Sequence, residues 1–150
     1  NQVGCNKKIP DFSAQATNNT NFQFSDLQGS PVLLYFYPRD NTPGCIQEGK
    51  DFRDNYAAFE NKGIKIFGIS RDSIKVHTNF KAKHEFPFEL ISDKEETLCN
   101  LFAVIKEKKL YGKVHMGIER STFLIDSQGI LIKEWRKVKV KEHIDQVLEA

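Results

Sequence analysis

The chain has 150 residues, a length that suits one domain with its own hydrophobic core, and we treat residues 1–150 as a single domain. Its 22 Lys and Arg against 20 Asp and Glu give a net charge of +2, which is too small to predict nucleic-acid binding. No stretch approaches the roughly 20 apolar residues of a membrane span, and no signal-peptide pattern is present. We therefore expect a cytoplasmic protein that binds neither nucleic acid nor membrane.

Three cysteines, Cys5, Cys45 and Cys99, are an odd number and too few for a secreted disulfide scaffold. The sequence has no Cys-x-x-Cys motif. None of its four histidines has a cysteine or a histidine at the spacing of zinc ligands. These patterns argue against a structural zinc site and leave the thiols as the groups to examine.

The first predicted element is a short hairpin, in which residues 12–16 pair with residues 21–24 around Asn18 and Asn19. Residues 32–37 form a continuous apolar run, which is typical of a strand buried on both faces. The chain is therefore expected to open with a hairpin and a central strand.

A helix is predicted from residue 45 to about residue 61, because apolar side chains recur near helical spacing and Gly63 follows as a stop signal. A second buried strand is predicted at 64–69. The next helix takes its N-terminal cap from Asp72 or Ser73.

The second half of the chain is predicted to hold a strand, a helix, a hairpin and a final helix. The strand covers residues 89–91, and the helix begins at Asp93. The hairpin joins 121–126 to 130–135 through a Ser-Gln-Gly turn, and the final helix covers 142–149.

This order of elements predicts an α/β protein with a thioredoxin-like fold, in which helices flank a mixed central sheet and a β-hairpin precedes it. The early βαβ units imply parallel pairing, and the late hairpin adds antiparallel strands. Residues 136–141 are one arginine and three lysines that alternate with two valines from residue 137 onward, which favours a strand edge over a phosphate-binding patch. Chemistry in open α/β sheets gathers at the carboxyl ends of strands, and Cys45 lies just beyond such an end.

Cys45 is the strongest candidate for chemistry. A polar Pro-Gly loop delivers it to the start of a predicted helix, where free backbone N–H groups and the helix dipole favour the thiolate. The thiolate is the nucleophilic form of cysteine. The alternative is a small core residue, although inert cysteines rarely follow such a turn.

Three neighbours of Cys45 are candidates for supporting roles, and each has a plainer alternative. The hydroxyl of Thr42 is able both to accept from and to donate to a bound substrate, unless it only forms the turn. Pro38 either walls one side of a pocket or only ends the strand. Glu48 lies in the first helical turn, where the helix dipole alone favours an acid.

Arg120 lies where a strand enters the sheet, beside apolar residues. Buried charges are seldom left unpaired, and the partners available to this arginine are Glu48 and the Cys45 thiolate. A solvated position on the surface is the alternative.

The spacing Pro38-x-x-x-Thr42-x-x-Cys45 matches the active-site signature of peroxiredoxins. The run 35–45 resembles the Q-type branch of that family, which is also called bacterioferritin comigratory protein. The similarity extends over nearly the whole chain. The other matching stretches are 10–12, 117–123 and 135–138.

The resemblance implies a thioredoxin-dependent peroxidase that reduces hydrogen peroxide and organic hydroperoxides without a metal, haem or flavin cofactor. Cys45 would be the peroxidatic cysteine. Thr42 and Arg120 would hold the peroxide oxygens and stabilise charge as the O–O bond breaks. Pro38 would shield the intermediate, and Glu48 would orient Arg120. The resemblance also implies a monomer.

One position departs from the family pattern. Many Q-type members carry the resolving cysteine where this chain has Lys50. Cys99 lies in a segment that resembles the other Q-type subgroup, which has its resolving cysteine on a later helix. The resemblance therefore implies an intramolecular disulfide between Cys45 and Cys99, although a core thiol is the alternative for Cys99. Cys5 has no counterpart that we can place.

A second class of function is a thioredoxin-fold binding protein without peroxidase turnover. A copper carrier on this fold needs a second thiol at Cys-x-x-x-Cys spacing, but Asn41 and Gly49 occupy the two flanking positions. A holdase, which binds unfolded chains, needs neither Thr42 nor Arg120. A disulfide isomerase is disfavoured because there is no Cys-x-x-Cys motif.

Overall fold

Strands and helices alternate along the computed structural model, which describes residues 4–141 and 143–149. The strands are β1 (Ser13–Ala16), β2 (Thr20–Gln23), β3 (Val32–Phe36), β4 (Lys65–Ser70), β5 (Glu89–Ser92), β6 (Ile105–Leu110), β7 (Lys113–Ile118), β8 (Ser121–Ile125) and β9 (Leu131–Trp135). The helices are α1 (Pro43–Asp54), α2 (Tyr56–Asn61), α3 (Ile74–His84), α4 (Thr97–Leu101) and α5 (His143–Leu148). The order across the main sheet is β2-β1-β5-β4-β3-β8-β9.

The continuously apolar β3 lies inside this sheet, parallel to β4 and antiparallel to β8. Successive side chains of a strand point to opposite faces, so β3 contributes to two apolar clusters. Leu33 and Tyr35 pack with residues of α1, α2, α3 and α5, whereas Leu34 and Phe36 pack with residues of α4. The result is a mixed sheet with helices on both faces and an N-terminal hairpin, as predicted.

Two helices differ from their predicted bounds for local reasons. The predicted helix over 45–61 is divided at Asn55, whose side chain donates to Asp51 O at 2.9 Å. Such local bonds compete with the helical backbone. Helix α4 begins at Thr97 instead of Asp93, because the Asp93 carboxylate accepts two amides from the start of that helix, at 3.0 and 2.7 Å.

The hairpin of β6 and β7 is an element that the sequence did not predict. Its strands pair antiparallel and form a separate two-stranded sheet. Tyr111 and Gly112 connect them with φ values of 53° and 77°, the combination that a type I′ turn requires. Residues 106–109 are charged in every position, so no apolar alternation signals a strand there.

The predicted strand edge at 136–141 is wrong. β9 ends at Trp135, and Lys137 has a left-handed φ of 51°, which breaks an extended strand. Val138 N donates to Arg120 O at 2.9 Å. The predicted final helix is α5, and its expected first residue, Glu142, lies outside the described residues. Across the described ranges, no helix is long and apolar enough to cross a membrane.

Candidate active site

Cys45 lies in the first turn of α1, immediately beyond the carboxyl end of β3. Pro43 occupies the first turn of the helix, where its missing N–H costs nothing, and Thr42 is the N-cap residue. The Cys45 side chain is buried, with only 2% of its surface exposed. The sequence-based location of this thiol at a helix start is therefore correct.

Arg120 reaches Cys45 because β3 and β8 are antiparallel neighbours. The end of β3 at Phe36 is paired with the start of β8 at Ser121, so the residue before β8 lies beside the loop that follows β3. One guanidinium nitrogen of Arg120 donates to Cys45 Sγ at 3.3 Å. The other donates to Glu48 Oε1 at 2.6 Å. The structure thus brings three of the predicted residues together.

Burial and neighbouring charges act in opposite directions on the pKa values of Glu48 and Arg120. Burial raises the pKa of Glu48 from 4.5 to about 7, although Arg120 pulls it back. Burial also disfavours the charged guanidinium, but Glu48 and Cys45 outweigh that effect and raise the pKa of Arg120. Glu48 Oε2 is buried and accepts no hydrogen bond from the described residues. One permanent cation therefore serves two groups that are able to become anions.

Gly44 is a contributor that the sequence analysis did not single out. A Cβ atom at this position would lie 3.1 Å from the Arg120 guanidinium, a closer approach than most Cβ atoms show. Glycine therefore lets the arginine lie against the first turn of α1, next to the sulfur.

Thr42 and Pro38 flank the trio on the loop between β3 and α1. Thr42 is half-buried, and its hydroxyl donates to Arg39 O at 2.9 Å, which leaves its lone pairs available as acceptors. Pro38 is half-buried beside the end of β3. Both lie on the loop that leads to Cys45, and their roles toward a substrate stay predictions.

Cys99 lies on the other side of the sheet from Cys45. It belongs to the apolar cluster that contains Leu34 and Phe36, whereas Cys45 belongs to the cluster of Leu33 and Tyr35. Burial, followed by a hydrogen bond and the charge of Asp93, raises the pKa of the Cys99 thiol.

Cys5 is exposed, and its neighbour Asn6 donates to Leu131 O. Leu131 is paired with Ile125, which is itself paired with the first residue of β3, so Cys5 lies at the end of the sheet opposite to Cys45. All three cysteines are free thiols in the structure.

Sequence reasoning missed a buried polar group behind the loop. Asp40, Asp72 and His77 each place one potential ligand atom within 4.8 Å of the others. These atoms are already engaged in hydrogen bonds with one another, with Ser70 or with the backbone. The available signal was a histidine on the apolar stripe of α3, one turn before Phe80.

Comparison with known proteins identifies the family. The model of the AhpC/TSA family matches residues 5–134. The chain belongs to the AhpC/TSA family. Peroxiredoxin Bcp of Bacillus subtilis is 49% identical over 144 residues, which cover 96% of this chain and 92% of the relative. Peroxiredoxin Bcp of Xanthomonas campestris is 54% identical over 122 residues, covering 81% and 76%.

Solved structures of the same kind superpose on the chain. Bacterioferritin comigratory protein of Xanthomonas campestris shows 47% identity and a TM-score of 0.88, covering 92% of this chain and 88% of that one. A mutant of Xylella fastidiosa PrxQ shows 38% identity and a TM-score of 0.93, covering 99% and 95%. The predicted resemblance to Q-type peroxiredoxins, the thioredoxin-like fold and the assignment as a peroxidase are confirmed.

Proposed function

We propose that this peroxidase reduces hydrogen peroxide and organic hydroperoxides through Cys45. The thiolate attacks one peroxide oxygen, so that an S–O bond forms while the O–O bond breaks. Cys45 becomes a sulfenic acid, and the leaving oxygen takes up a proton to give water or an alcohol. The observation that carries this proposal is the buried Cys45 sulfur held by the Arg120 guanidinium at 3.3 Å.

The neighbouring residues have separate tasks in this reaction. Arg120 stabilises the thiolate and then the charge that develops on the peroxide oxygens, since a preorganised cation in a buried site acts strongly on a transition state. Thr42 offers its hydroxyl to the same oxygens. Glu48 holds the guanidinium in position through the 2.6 Å bond, and Pro38 screens the sulfur from water.

The relatives support organic hydroperoxides as substrates. The Xanthomonas campestris protein is described by its alkyl peroxide reduction activity, and it is 47% identical to this chain. A holdase without turnover has no use for an arginine bonded to a buried thiol, so we do not favour that alternative. A monomer in the cytoplasm, recycled by thioredoxin or a similar dithiol, completes the proposal.

Cys99 as the resolving cysteine stays a prediction, and its position is the main obstacle. A disulfide needs Cα atoms about 4.4–6.8 Å apart. Cys45 and Cys99 belong to clusters on opposite faces of the sheet, so the first turn of α1 and helix α4 would both have to unfold. Helix α4 has only 5 residues, and short helices are marginal without packing. The alternative is direct attack of the reductant thiol on the sulfenic acid.

The proposal is tested by peroxide consumption with thioredoxin, thioredoxin reductase and NADPH. Cys45→Ser should abolish turnover while the fold persists, because a serine hydroxyl stays protonated at neutral pH. Cys5→Ser is the matched control and should keep full activity. Turnover by Cys45→Ser would contradict the assignment of the nucleophile.

Cys99→Ser decides the route of recycling. Loss of turnover, together with a normal first reaction with peroxide and a Cys45–Cys99 crosslink in the wild type, supports the intramolecular disulfide. Full turnover by Cys99→Ser would show that a single cysteine suffices.

A further inference from the structure

The loop of residues 38–42, which leads from β3 into α1, makes hydrogen bonds to more distant parts of the protein through one residue. Among the described residues, Asp40 is the only loop member with hydrogen bonds that reach beyond the loop and α1. Its amide donates to Asp72 Oδ2 at 2.8 Å. Its carboxylate accepts from the Tyr37 hydroxyl at 2.6 Å and lies 2.6 Å from His77 Nδ1. The position of the loop therefore depends on Asp40.

The loop also contains a conformation that needs support. Asn41, the next residue, has a φ of 64°, in the left-handed region, which asparagine adopts more readily than most residues but at a higher free energy than glycine. Such conformations persist only where the surrounding structure holds them. The bonds at Asp40 lie directly beside this position and supply that hold.

His77 is hydrogen-bonded at both ring nitrogens, and Asp40 at both carboxyl oxygens. His77 Nε2 lies 2.9 Å from Ile91 O, which only accepts, so this nitrogen donates. The nearby Ser70 hydroxyl donates its hydrogen bond to Asp72 Oδ2 and is therefore not a donor to His77. Burial raises the pKa of Tyr37, which therefore keeps its proton and donates to Asp40. His77 Nδ1 lies 2.6 Å from the other oxygen of the Asp40 carboxyl group, and the two atoms share one hydrogen bond.

We propose that His77 is a positioning residue for the peroxidase reaction, which with Asp40 holds the loop that carries Thr42 and leads into Cys45. The pair is fully buried, where removing one partner of a hydrogen bond leaves the other polar group unsatisfied at a cost in free energy. His77 reaches the loop from α3, whereas Arg120, which bonds to the sulfur, directly precedes β8 and is held by Glu48 of α1. The pair therefore governs how a peroxide is aligned and leaves the thiolate itself unaffected. This inference rests on the proposed function of Cys45.

The test compares His77→Gln with His143→Gln. Glutamine reaches one of the two partners of His77 but not both. His143, on α5, is the matched control, because it is also a buried histidine and its Nε2 lies 2.8 Å from Thr122 Oγ1. In His77→Gln the rate constant with peroxide should fall about 10- to 100-fold, since small misalignments have effects of this size. Alkylation of Cys45 by iodoacetamide, which needs the thiolate but no aligned peroxide, should not change. His143→Gln should alter neither rate.

Two results would overturn the inference. One is a peroxide rate in His77→Gln equal to that of the wild type. The other is an equal loss of the peroxide and iodoacetamide rates, which would mean general damage to the site.

Amide hydrogen exchange of residues 39–42 gives a readout that needs no peroxide. Exchange there should accelerate in His77→Gln and stay unchanged in His143→Gln, even if the protein proved inactive with peroxide. Unchanged exchange in His77→Gln would contradict the claim that His77 stabilises the position of the loop.

If His77→Gln does not fold, Tyr37→Phe removes another donor to the same carboxylate and keeps the buried ring. Tyr37→Phe should also lower the rate constant with peroxide and accelerate exchange in residues 39–42, by less than His77→Gln, and should leave the iodoacetamide rate unchanged. Wild-type rates and exchange in Tyr37→Phe would also count against the inference.

Discussion

Cys45 and Cys99 are both buried thiols on helices that pack against β3, yet their surroundings differ in the sign of the nearest charge. The sulfur of Cys45 accepts a hydrogen bond from the Arg120 guanidinium. Cys99 instead lies beside the Asp93 carboxylate, which accepts its backbone amide at 2.7 Å. Burial and Asp93 together raise the pKa of the Cys99 thiol, so this residue stays protonated.

Burial does not distinguish Cys45 from Cys99. The exposed fraction is 2% for Cys45 and 0% for Cys99, which are nearly equal. Burial disfavours the charged form of a thiol, and a neighbouring cation is one of the groups able to offset that effect. We therefore propose that Arg120 makes Cys45 the reactive thiol, and the following variants test that proposal.

Replacing the arginine should bring the surroundings of Cys45 closer to those of Cys99. In Arg120→Met we expect a smaller thiolate fraction at neutral pH and a peroxide rate roughly 100- to 1,000-fold lower, because the cation acts on both thiolate and transition state. Thiolate absorbance against pH and peroxide consumption are the two measurements.

Arg136→Met is the matched control for that variant. Arg136 is also partly buried and donates to Phe102 O and Ala103 O, on the Cys99 side of the sheet. Its replacement should leave both measurements unchanged. Superimposable titration curves and equal rates for wild type and Arg120→Met would place Arg120 outside the site.

Glu48 gives a pH-dependent test of the same site. Because burial raises the pKa of Glu48 from 4.5 to about 7, the folded state favours the protonated form. The resulting stability is fully present below pH 4.5 and is lost as the pH rises through about 7. The free energy of unfolding of the wild type, relative to Glu48→Gln, should therefore fall by up to about 3 kcal/mol over that range.

Urea unfolding at a series of pH values measures this difference. Glu60→Gln is the control, since Glu60 is exposed on α2 and its replacement makes the same change in formal charge. The difference between wild type and Glu60→Gln should stay flat. If the free energy of unfolding of the wild type relative to Glu48→Gln stays constant or rises with pH, the pKa of Glu48 is not raised by burial.

The sequence predicted the strands and helices around the site because their signals are local. The apolar run of β3 and the Ser73 cap of α3, which accepts from Val76 N, are both legible in the chain. The β6–β7 hairpin was missed because β6 is charged throughout 106–109, although Val114, Met116 and Ile118 alternate along β7. The edge predicted at 136–141 failed because a left-handed residue at Lys137 leaves no periodic signal.

At the site, the sequence predicted which residues belong together but not all of their contacts. Charge made Glu48 one of two candidate partners of Arg120, the family resemblance implied the pairing, and the two side chains bond at 2.6 Å. The Asp40–His77 pair was not predicted, because its members come from distant segments that only the folded sheet brings together. The separation of Cys45 from Cys99 by the sheet likewise depends on which face of β3 each helix covers.

Trapping of the first oxidation product tests most directly whether Cys45 is the thiol that peroxide oxidises. The wild type is treated with one equivalent of peroxide in the presence of dimedone, which labels sulfenic acids, and its peptides are then mapped by mass spectrometry. We predict the label on the peptide that contains Cys45 and none on the peptides of Cys5 and Cys99. Label on Cys99, or consumption of peroxide with Cys45 still reduced, would contradict the account.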